Sequence, residues 1–252
     1  MIENTTPETL SGTYLLADIP VHIQSLYDEV HTLCAPYRTG KEPLFTIRTT
    51  AEDIENEGVR SDNNRKHEGL PEYHFPAPYL ETLAVYRQIA TRFIEQNVLL
   101  MHGSVIAVDG EGYMFTALSG TGKSTHVRLW RELFGPRAVM VNDDKPLVRI
   151  PSDGSPIIYG TPWDGKHHLS NNISVPLKAI VILDRAEQNS IRPISITEAF
   201  PTLLQQTYRP EQPQLMAMVL QLLSQLSQHT GLYHLYCNMN PEAAQIAYEG
   251  IV

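Results

Sequence analysis

The segment ALSGTGKSTH, residues 117–126, constrains the fold more than any other part of this chain. The run VLLMHGSVIAVDGEGYMFTAL leads into it and reads as strand, turn at Asp109-Gly110, and second strand. The run STHVRLWRELF leaves it with helical spacing and stops at Gly135-Pro136, because proline cannot continue a helix. A strand, a Gly-Lys-Ser loop and a helix in this order predict an α/β protein with a phosphate-binding loop.

The residues of this loop suit the chemistry of phosphate binding. Gly120 and Gly122 allow backbone N–H groups to turn toward phosphates, and the helix N-terminus adds partial positive charge. Lys123 would reach the β- and γ-phosphates, and the Ser124 hydroxyl would bind Mg²⁺. Ala117 stands where the usual GxxxxGK[ST] spacing has its first glycine, which predicts a loop geometry different from that of ordinary P-loop enzymes. A chance match is the alternative, and the position between strand and helix argues against it.

An acidic motif follows the loop by about one strand–helix unit. Asp143 and Asp144 come directly after the apolar run AVMVN. One carboxylate can hold a metal ion, and the other can take a proton from an attacking hydroxyl. The alternative is an aspartate pair that caps a turn. His102 ends the run VLLMH upstream of the loop, where a hydrogen-bonded structural histidine is the plainer interpretation.

The segment TPWDGKHH, residues 161–168, is a candidate binding loop for a phosphoryl acceptor. It combines a turn with an aromatic ring, Trp163, and a cation, Lys166. A surface loop without a ligand is the alternative interpretation. We expect acceptor specificity to lie in residues 160–172 and 58–78, since loops on a fixed core carry specificity.

The texture of the chain predicts two regions. Residues 1–78 form a small strand-rich N-terminal region that ends in a polar, proline-containing linker over 58–78. Residues 79–252 alternate strands with helices, beginning with an amphipathic helix from Tyr79 to about Asn97, and form the core. The run LKAIVILD has apolar residues without alternation, which predicts a strand covered on both faces.

Composition excludes several classes of protein. The net charge of −9 removes the electrostatic attraction that nucleic acid binding needs. The N-terminus lacks the pattern of a signal peptide, and no apolar stretch approaches the ~20 residues that span a membrane. The two cysteines, Cys34 and Cys237, have no CxxC spacing and predict free thiols. We therefore expect a cytoplasmic protein with no nucleic acid or membrane partner; a homo-oligomer stays open.

With these residues assembled, the core resembles the superfamily of HPr kinase/phosphorylase and phosphoenolpyruvate carboxykinase. LMHGSVIAVDGEGYMFTALSGTGKST is similar to the His-Gly strand, hairpin and SGxGKS loop of HPr kinases, and VNDD resembles the paired aspartates of both families. The similarity covers residues 95–184. It implies an α/β fold with a phosphoenolpyruvate carboxykinase-like or HPr kinase-like P-loop core and a mixed sheet.

The resemblance also implies the site. ATP and Mg²⁺ would lie on a loop made of Ser119, Gly120, Thr121, Gly122, Lys123, Ser124 and Thr125. One aspartate of the pair would be the base and the other would lie near the metal, with His102 close by. Of the two, Asp144 is the one we assign beside Ser124 as a metal ligand, although the division of roles between the aspartates stays open.

Three departures narrow what the resemblance implies. Ala117 replaces a glycine that is usual in both families. The arginine-glycine signature that follows the aspartates in HPr kinases is missing, which argues against HPr as the substrate. The chain is about half the length of a carboxykinase and lacks its keto-acid-binding arginines, which argues against decarboxylation. YGTPWDGKHHLSNNISVPLKAIVILDR instead looks like a group of small HPr kinase-like proteins, some linked to peptide or small-molecule phosphorylation.

These observations predict an ATP- and Mg²⁺-dependent kinase. The γ-phosphoryl group would pass to a hydroxyl acceptor, either a serine of a protein or peptide or a small metabolite. The alternative is a nucleotide-binding switch or regulatory ATPase without an acceptor. The sequence identifies neither the acceptor nor any phosphorylase activity.

Overall fold

The computed structural model describes residues 10–67, 69–118, 120–152, 154–165 and 167–252. Two predicted site residues, Ser119 and Lys166, lie outside the described residues. The strands are β1 (Leu10–Leu16), β2 (Ile19–Ser25), β3 (Phe45–Arg48), β4 (Val98–Leu100), β5 (Ser104–Val108), β6 (Glu111–Thr116), β7 (Ala138–Asn142), β8 (Leu147–Arg149), β9 (Ile157–Tyr159), β10 (Ser174–Arg185), β11 (Ser190–Pro193) and β12 (Gly231–Cys237). The α-helices are α1 (Glu29–Leu33), α2 (Ala51–His67), α3 (Ala77–Ile94), α4 (Lys123–Phe134), α5 (Ile196–Gln205), α6 (Pro213–His229) and α7 (Glu242–Ile251).

The chain forms two compact units that divide between Ile89 and Ala90. The boundary between the units lies inside α3, whereas the sequence predicts a boundary after residue 78, near the start of that helix. The first unit carries a three-stranded sheet in the order β1-β2-β3. β1 and β2 pair antiparallel around Ala17 and Asp18, whose φ angles of 47° and 63° suit a tight hairpin turn. These three strands lie in the segment predicted to be strand-rich, which also contains the helices α1 and α2.

The prediction of a loop over residues 58–78 is wrong for its first half, because α2 extends through His67. The physical reason is local capping and charge rather than apolar spacing. The backbone N–H of Thr50 donates to Asp53 Oδ2 at 2.8 Å, and the backbone N–H of Asp53 donates to Thr50 Oγ1 at 3.3 Å. Acidic residues begin the helix and basic residues end it, as the helix dipole favours.

The second unit is built on a mixed nine-stranded sheet, so the predicted mixed α/β fold is confirmed. The strand order is β4-β8-β9-β10-β6-β5-β7, with β12 added to β10 and β11 added to β12. β10 runs parallel to β6 and to β12, and β5 runs antiparallel to β6 and β7. The hairpin predicted around Asp109-Gly110 is present as β5–β6, and β8 and β9 also pair antiparallel. Two helices follow β11, α5 and α6, with a break before Pro213.

Side chains of the central strands alternate between two cores. Val105, Met114 and Ile180 contribute to a cluster that contains residues of α5 and α6. Ile106 and Phe115 contribute to a second cluster that contains residues of α4 and α7. Helices therefore cover both faces of the sheet, which explains why β10 reads as a continuous apolar run.

Among the residues that the structure describes, no helix has the length and apolar character needed to cross a bilayer.

Candidate functional site

The predicted site residues come from strand ends that meet at one edge of the large sheet. β6 ends at Thr116 just before the Gly-Lys-Ser loop, which we define as residues 117–124, and β7 ends at Asn142 just before the aspartate pair. β5 lies between these strands with opposite direction, so its first residues lie at the same edge. His102 precedes β5 and therefore lies at that edge too. The carboxyl ends of parallel strands are the usual position of ligand sites in open α/β sheets.

The Gly-Lys-Ser loop takes a conformation that depends on its glycines. Gly120 has a φ angle of 76° and Gly122 one of 123°, in the region that favours glycine. Gly122 is the N-cap of α4 and has no side-chain cap, so the first N–H groups of the helix lack a partner of that kind. Ser124 is exposed and Thr125 is half-buried in this first turn. The uncapped turn carries the partial positive charge that favours an anion.

Ala117 has a structural role at the base of this loop. Its side chain is buried in the core cluster beneath α4, together with Val127 and Trp130. Its carbonyl oxygen accepts a hydrogen bond from Lys123 Nζ at 3.1 Å. The alanine thus fills a small apolar space that a glycine would leave empty.

Lys123, His102 and Asp144 form one electrostatic cluster. His102 Nε2 lies 3.3 Å from Asp144 Oδ1. Partial burial, with the charge of Lys123 beside it, lowers the pKa of His102 to about 4 against the opposing effect of Asp144. Burial also lowers the pKa of Lys123, and Asp144 opposes that shift. The histidine is therefore neutral near pH 7, and the charges that face each other are the lysine and the carboxylate.

The backbone of His102 is fixed on both sides. Its N–H donates to the carbonyl of Gln206 at 2.7 Å, and its carbonyl accepts from Thr116 Oγ1 at 2.9 Å. The next residue, Gly103, donates its N–H to the carbonyl of Asp144 at 3.0 Å. The start of β5 and the aspartates are thus tied together directly.

The aspartate turn, residues 142–145, is organised by the buried side chain of Asn142. Asn142 Oδ1 accepts hydrogen bonds from the backbone N–H groups of Asp144, at 2.9 Å, and Lys145, at 2.7 Å. Asn142 Nδ2 donates to the carbonyl and the hydroxyl of Thr161, both at 3.1 Å. The asparagine therefore joins the turn to the segment that begins at residue 160.

Asp143 and Asp144 have different surroundings. Asp143 is buried, and its Oδ1 accepts a hydrogen bond of 2.6 Å from the backbone N–H of Gly165. Burial raises the pKa of Asp143, with further contributions from Asp164 and Asp144, while the Gly165 hydrogen bond opposes the shift. Asp144 is more exposed and is paired with Lys145 as well as facing His102. One carboxylate is thus set in a low-dielectric position that suits proton transfer, and the other lies among cations.

The predicted acceptor loop contributes mainly backbone to this region. The ring of Trp163 is buried, and its carbonyl accepts from Thr161 Oγ1 at 3.1 Å. Asp164 holds the loop by accepting from Ser170 Oγ at 2.9 Å, and it lies 3.0 Å from His168 Nδ1. The burial of its ring gives Trp163 a packing role, and its contact with a substrate stays a prediction.

A cavity of about 490 Å³ opens beside the loop and was not predicted. Its lining residues come from the loop, the first turn of α4 and the segments after β10 and β12: Gly120, Thr121, Gly122, Thr125, His126, Leu183, Arg185, Ala186, Cys237, Asn238 and Met239. Its walls combine apolar side chains with the polar groups of Arg185 and Asn238. This volume lies in the range of small-molecule sites.

A comparison with known families gives a match to a family model. The family model of the SynChlorMet cassette protein ScmC matches residues 79–240, which is more than half of the chain. The chain belongs to the ScmC family. Both the Gly-Lys-Ser loop and the aspartate turn of this ScmC family member lie inside the matched region. No curated protein matches the sequence.

Among solved structures, the HPr(Ser) kinase/phosphatase from Coxiella burnetii is similar to this ScmC family member, with a TM-score of 0.33 and 10% sequence identity. The similarity covers 60% of this chain and 94% of the other.

Among the described residues of this ScmC family member, no three histidine, cysteine, aspartate or glutamate side chains cluster as ligands of a metal ion. A Mg²⁺ ion needs no such cluster, because it binds through one or two protein oxygens together with phosphates and water. The Asp144 carboxylate and the exposed Ser124 hydroxyl are oxygen donors of that kind. The residues present are therefore compatible with a phosphate-bound Mg²⁺ ion.

Proposed function

We propose that this protein is an ATP- and Mg²⁺-dependent kinase with a P-loop core of the HPr kinase and phosphoenolpyruvate carboxykinase type. The observation that carries the proposal is the cluster of Lys123 with His102 and Asp144 beside the buried carboxylate of Asp143. Kinase chemistry requires a cation for the phosphates, an oxygen donor for a metal and a carboxylate base. All three kinds of group lie at one edge of the sheet.

The nucleotide is assigned to the loop and the neighbouring cavity. The phosphates would contact the N–H groups of the Gly-Lys-Ser loop and the ammonium group of Lys123. The nucleoside would occupy the cavity of about 490 Å³, whose apolar walls suit a flat base. Mg²⁺, held through Ser124 and Asp144, would neutralise charge on the phosphate oxygens.

Asp143 is assigned as the base. Its carboxylate would accept the proton of the acceptor hydroxyl, while the acceptor oxygen forms a bond to the γ-phosphorus. The bond from the γ-phosphorus to the bridging oxygen would break, and ADP would leave with that oxygen. His102, which is neutral, would orient the neighbouring carboxylate of Asp144. The acceptor is an alcohol of a peptide, protein or metabolite, which residues 160–172 would contact.

The test combines binding with an unbiased screen for the acceptor. ATP affinity is measured by calorimetry with MgCl₂, and transfer from γ-labelled ATP is measured against serine peptides and small alcohols. We expect Lys123→Ala to lower transfer by about 10²- to 10³-fold, as removal of one transition-state donor does. Lys178→Ala is the matched control, because Lys178 is exposed and pairs with Glu111 far along the strand from the loop.

Three results would contradict the proposal. If the folded protein does not bind ATP, it lacks the proposed nucleotide site. Lys123→Ala with the activity of the unaltered protein would exclude the loop as the phosphate site. ATP binding or hydrolysis without transfer to any acceptor would favour the nucleotide-binding switch.

A further inference from the structure

Arg185 joins the end of β10 to the Gly-Lys-Ser loop, although the two are separated by about sixty residues in the chain. Its Nε donates to the carbonyl of Thr121 at 3.1 Å, and its Nη2 donates to the carbonyl of Gly120. The side chain is exposed and lines the cavity. The parallel pairing of β10 with β6 brings the end of β10 beside the start of the loop.

The loop needs an external contact of this kind. Gly120 and Gly122 have no heavy atom within 4 Å of the position where a Cβ would lie, so packing on that side does not set their conformation. Glycine also has the largest conformational freedom of any residue. Within the described part of the loop, the other hydrogen bonds are local. Thr121 donates to the carbonyl of Leu118, Lys123 to that of Ala117, and the backbone N–H of His126 to that of Gly122.

The geometry of the peptide unit gives the contact a direction. A trans peptide is planar, and its carbonyl points opposite to the N–H of the following residue. When Arg185 holds the carbonyl of Thr121, the N–H of Gly122 points away from the guanidinium group. Two fixed carbonyls therefore fix the orientation of the peptide groups that lead into α4, before any phosphate is present.

We propose that Arg185 is a positioning residue that shapes the loop for the phosphates of a nucleoside triphosphate, an inference that rests on the proposed function. The planar fork of arginine can bridge two carbonyls, whereas the single ammonium group of lysine cannot hold the same geometry. A preshaped loop binds phosphate with less loss of conformational entropy. The contribution of Arg185 therefore comes from its shape, and a positive charge alone does not replace it.

The experiment compares Arg185→Lys with Arg185→Gln in the full chain. Calorimetry with MgCl₂ measures affinity for ATP and for adenosine, which has no phosphate. We expect both variants to bind ATP about tenfold more weakly, to lose much less affinity for adenosine, and to keep the unaltered melting temperature. Arg128→Lys is the control, because Arg128 is exposed on α4 and pairs with Glu132.

The outcomes separate this proposal from the proposed function. If Arg185→Lys keeps full ATP affinity while Arg185→Gln loses it, the residue acts as a charge on phosphate and the positioning role is refuted. Equal loss of adenosine and ATP affinity would make it a nucleoside contact and would refute it too. In both cases the unaltered protein still binds and transfers phosphate, so the proposed function stands. If the unaltered protein does not bind ATP, both proposals fall.

Discussion

The Gly-Lys-Ser loop and the aspartate turn lie at the same edge of one sheet, but they are held in different ways. The loop contains two glycines with positive φ angles and open space around them. Side chains of Thr121 and Lys123 within the loop, and of Arg185 outside it, donate hydrogen bonds to backbone carbonyls of the loop. The aspartate turn is fixed by a fully buried asparagine, Asn142, with hydrogen bonds to two segments.

This difference suggests that the Gly-Lys-Ser loop and the aspartate turn have separate roles in the site. A loop held by few contacts can adjust around a ligand, whereas a buried polar network that is fully bonded holds one geometry. Variants of the loop should therefore change ATP affinity and spare folding stability. Variants of Asn142 and Asp143 in the aspartate turn should change transfer or stability and spare ATP affinity.

Asp143→Asn should have the largest effect. It removes the proposed base while keeping the shape of the side chain, so we expect kcat to fall by about 10²- to 10⁴-fold. ATP affinity, measured by calorimetry, should stay within about twofold because no phosphate contact is lost. Asp109→Asn is the matched control, since Asp109 is exposed in the β5–β6 turn and pairs with Arg137. An equal fall in ATP affinity would place Asp143 among the nucleotide contacts and would contradict the separate roles of the loop and the aspartate turn.

Asn142→Ala should have the next largest effect, on stability. The substitution leaves buried N–H and carbonyl groups without their partners, so the free energy of unfolding should fall by about 3 kcal/mol. Urea unfolding measures this change. Asn64→Ala, on the exposed surface of α2, should cost nothing measurable. A stability change below about 0.5 kcal/mol would show that the turn is not held by its asparagine.

The separate elements of the site could be predicted from the sequence, because each has a local signal. The β5–β6 hairpin, the loop and α4 are contiguous, and each has its own turn residue, glycine or helical spacing. The aspartate pair follows β7 directly, as the apolar run before it indicated. The α/β class followed from the alternation of strands and helices, and the mixed sheet was implied by the family resemblance.

The contacts between distant segments could not be predicted. Arg185 reaches the loop only because β10 pairs with β6, and the cavity is completed by residues after β12. Strand order of this kind has no local signal in a single sequence. Helix α2 did have one, the Thr50–Asp53 capping pair, but its polar composition favoured a loop. The buried role of Asn142 was hidden because an asparagine beside two aspartates resembles an ordinary turn.

Gly122→Ala tests the loop side of the comparison. A φ angle of 123° is unfavourable for a residue with a Cβ and costs about 1 to 3 kcal/mol, so the loop should change its conformation. We expect ATP to bind about tenfold more weakly, measured by calorimetry, while the melting temperature changes little. Gly40→Ala is the control, because its position is also open but its φ angle is ordinary. A large fall in melting temperature with unchanged ATP affinity would reverse the proposed roles of loop and turn.

Gly165→Ala should have the smallest effect and is the finest test of the aspartate side. A Cβ on Gly165 would lie 3.0 Å from Oδ2 of Asp143, so the carboxylate has to move by a few tenths of an ångström. A displaced base lowers the rate of the chemical step, and we expect kcat to fall about fivefold with unchanged ATP affinity.

Steady-state kinetics with the acceptor found by the screen measures this effect. Gly154→Ala is the control, because a Cβ there meets only an ordinary contact with Pro151 at 3.4 Å. An unchanged kcat would mean that a displacement of the Asp143 carboxylate by a few tenths of an ångström does not affect proton transfer. A fall in ATP affinity instead would mean that the 160–172 segment contributes to nucleotide binding. The separate roles proposed for the loop and the aspartate turn would then be wrong.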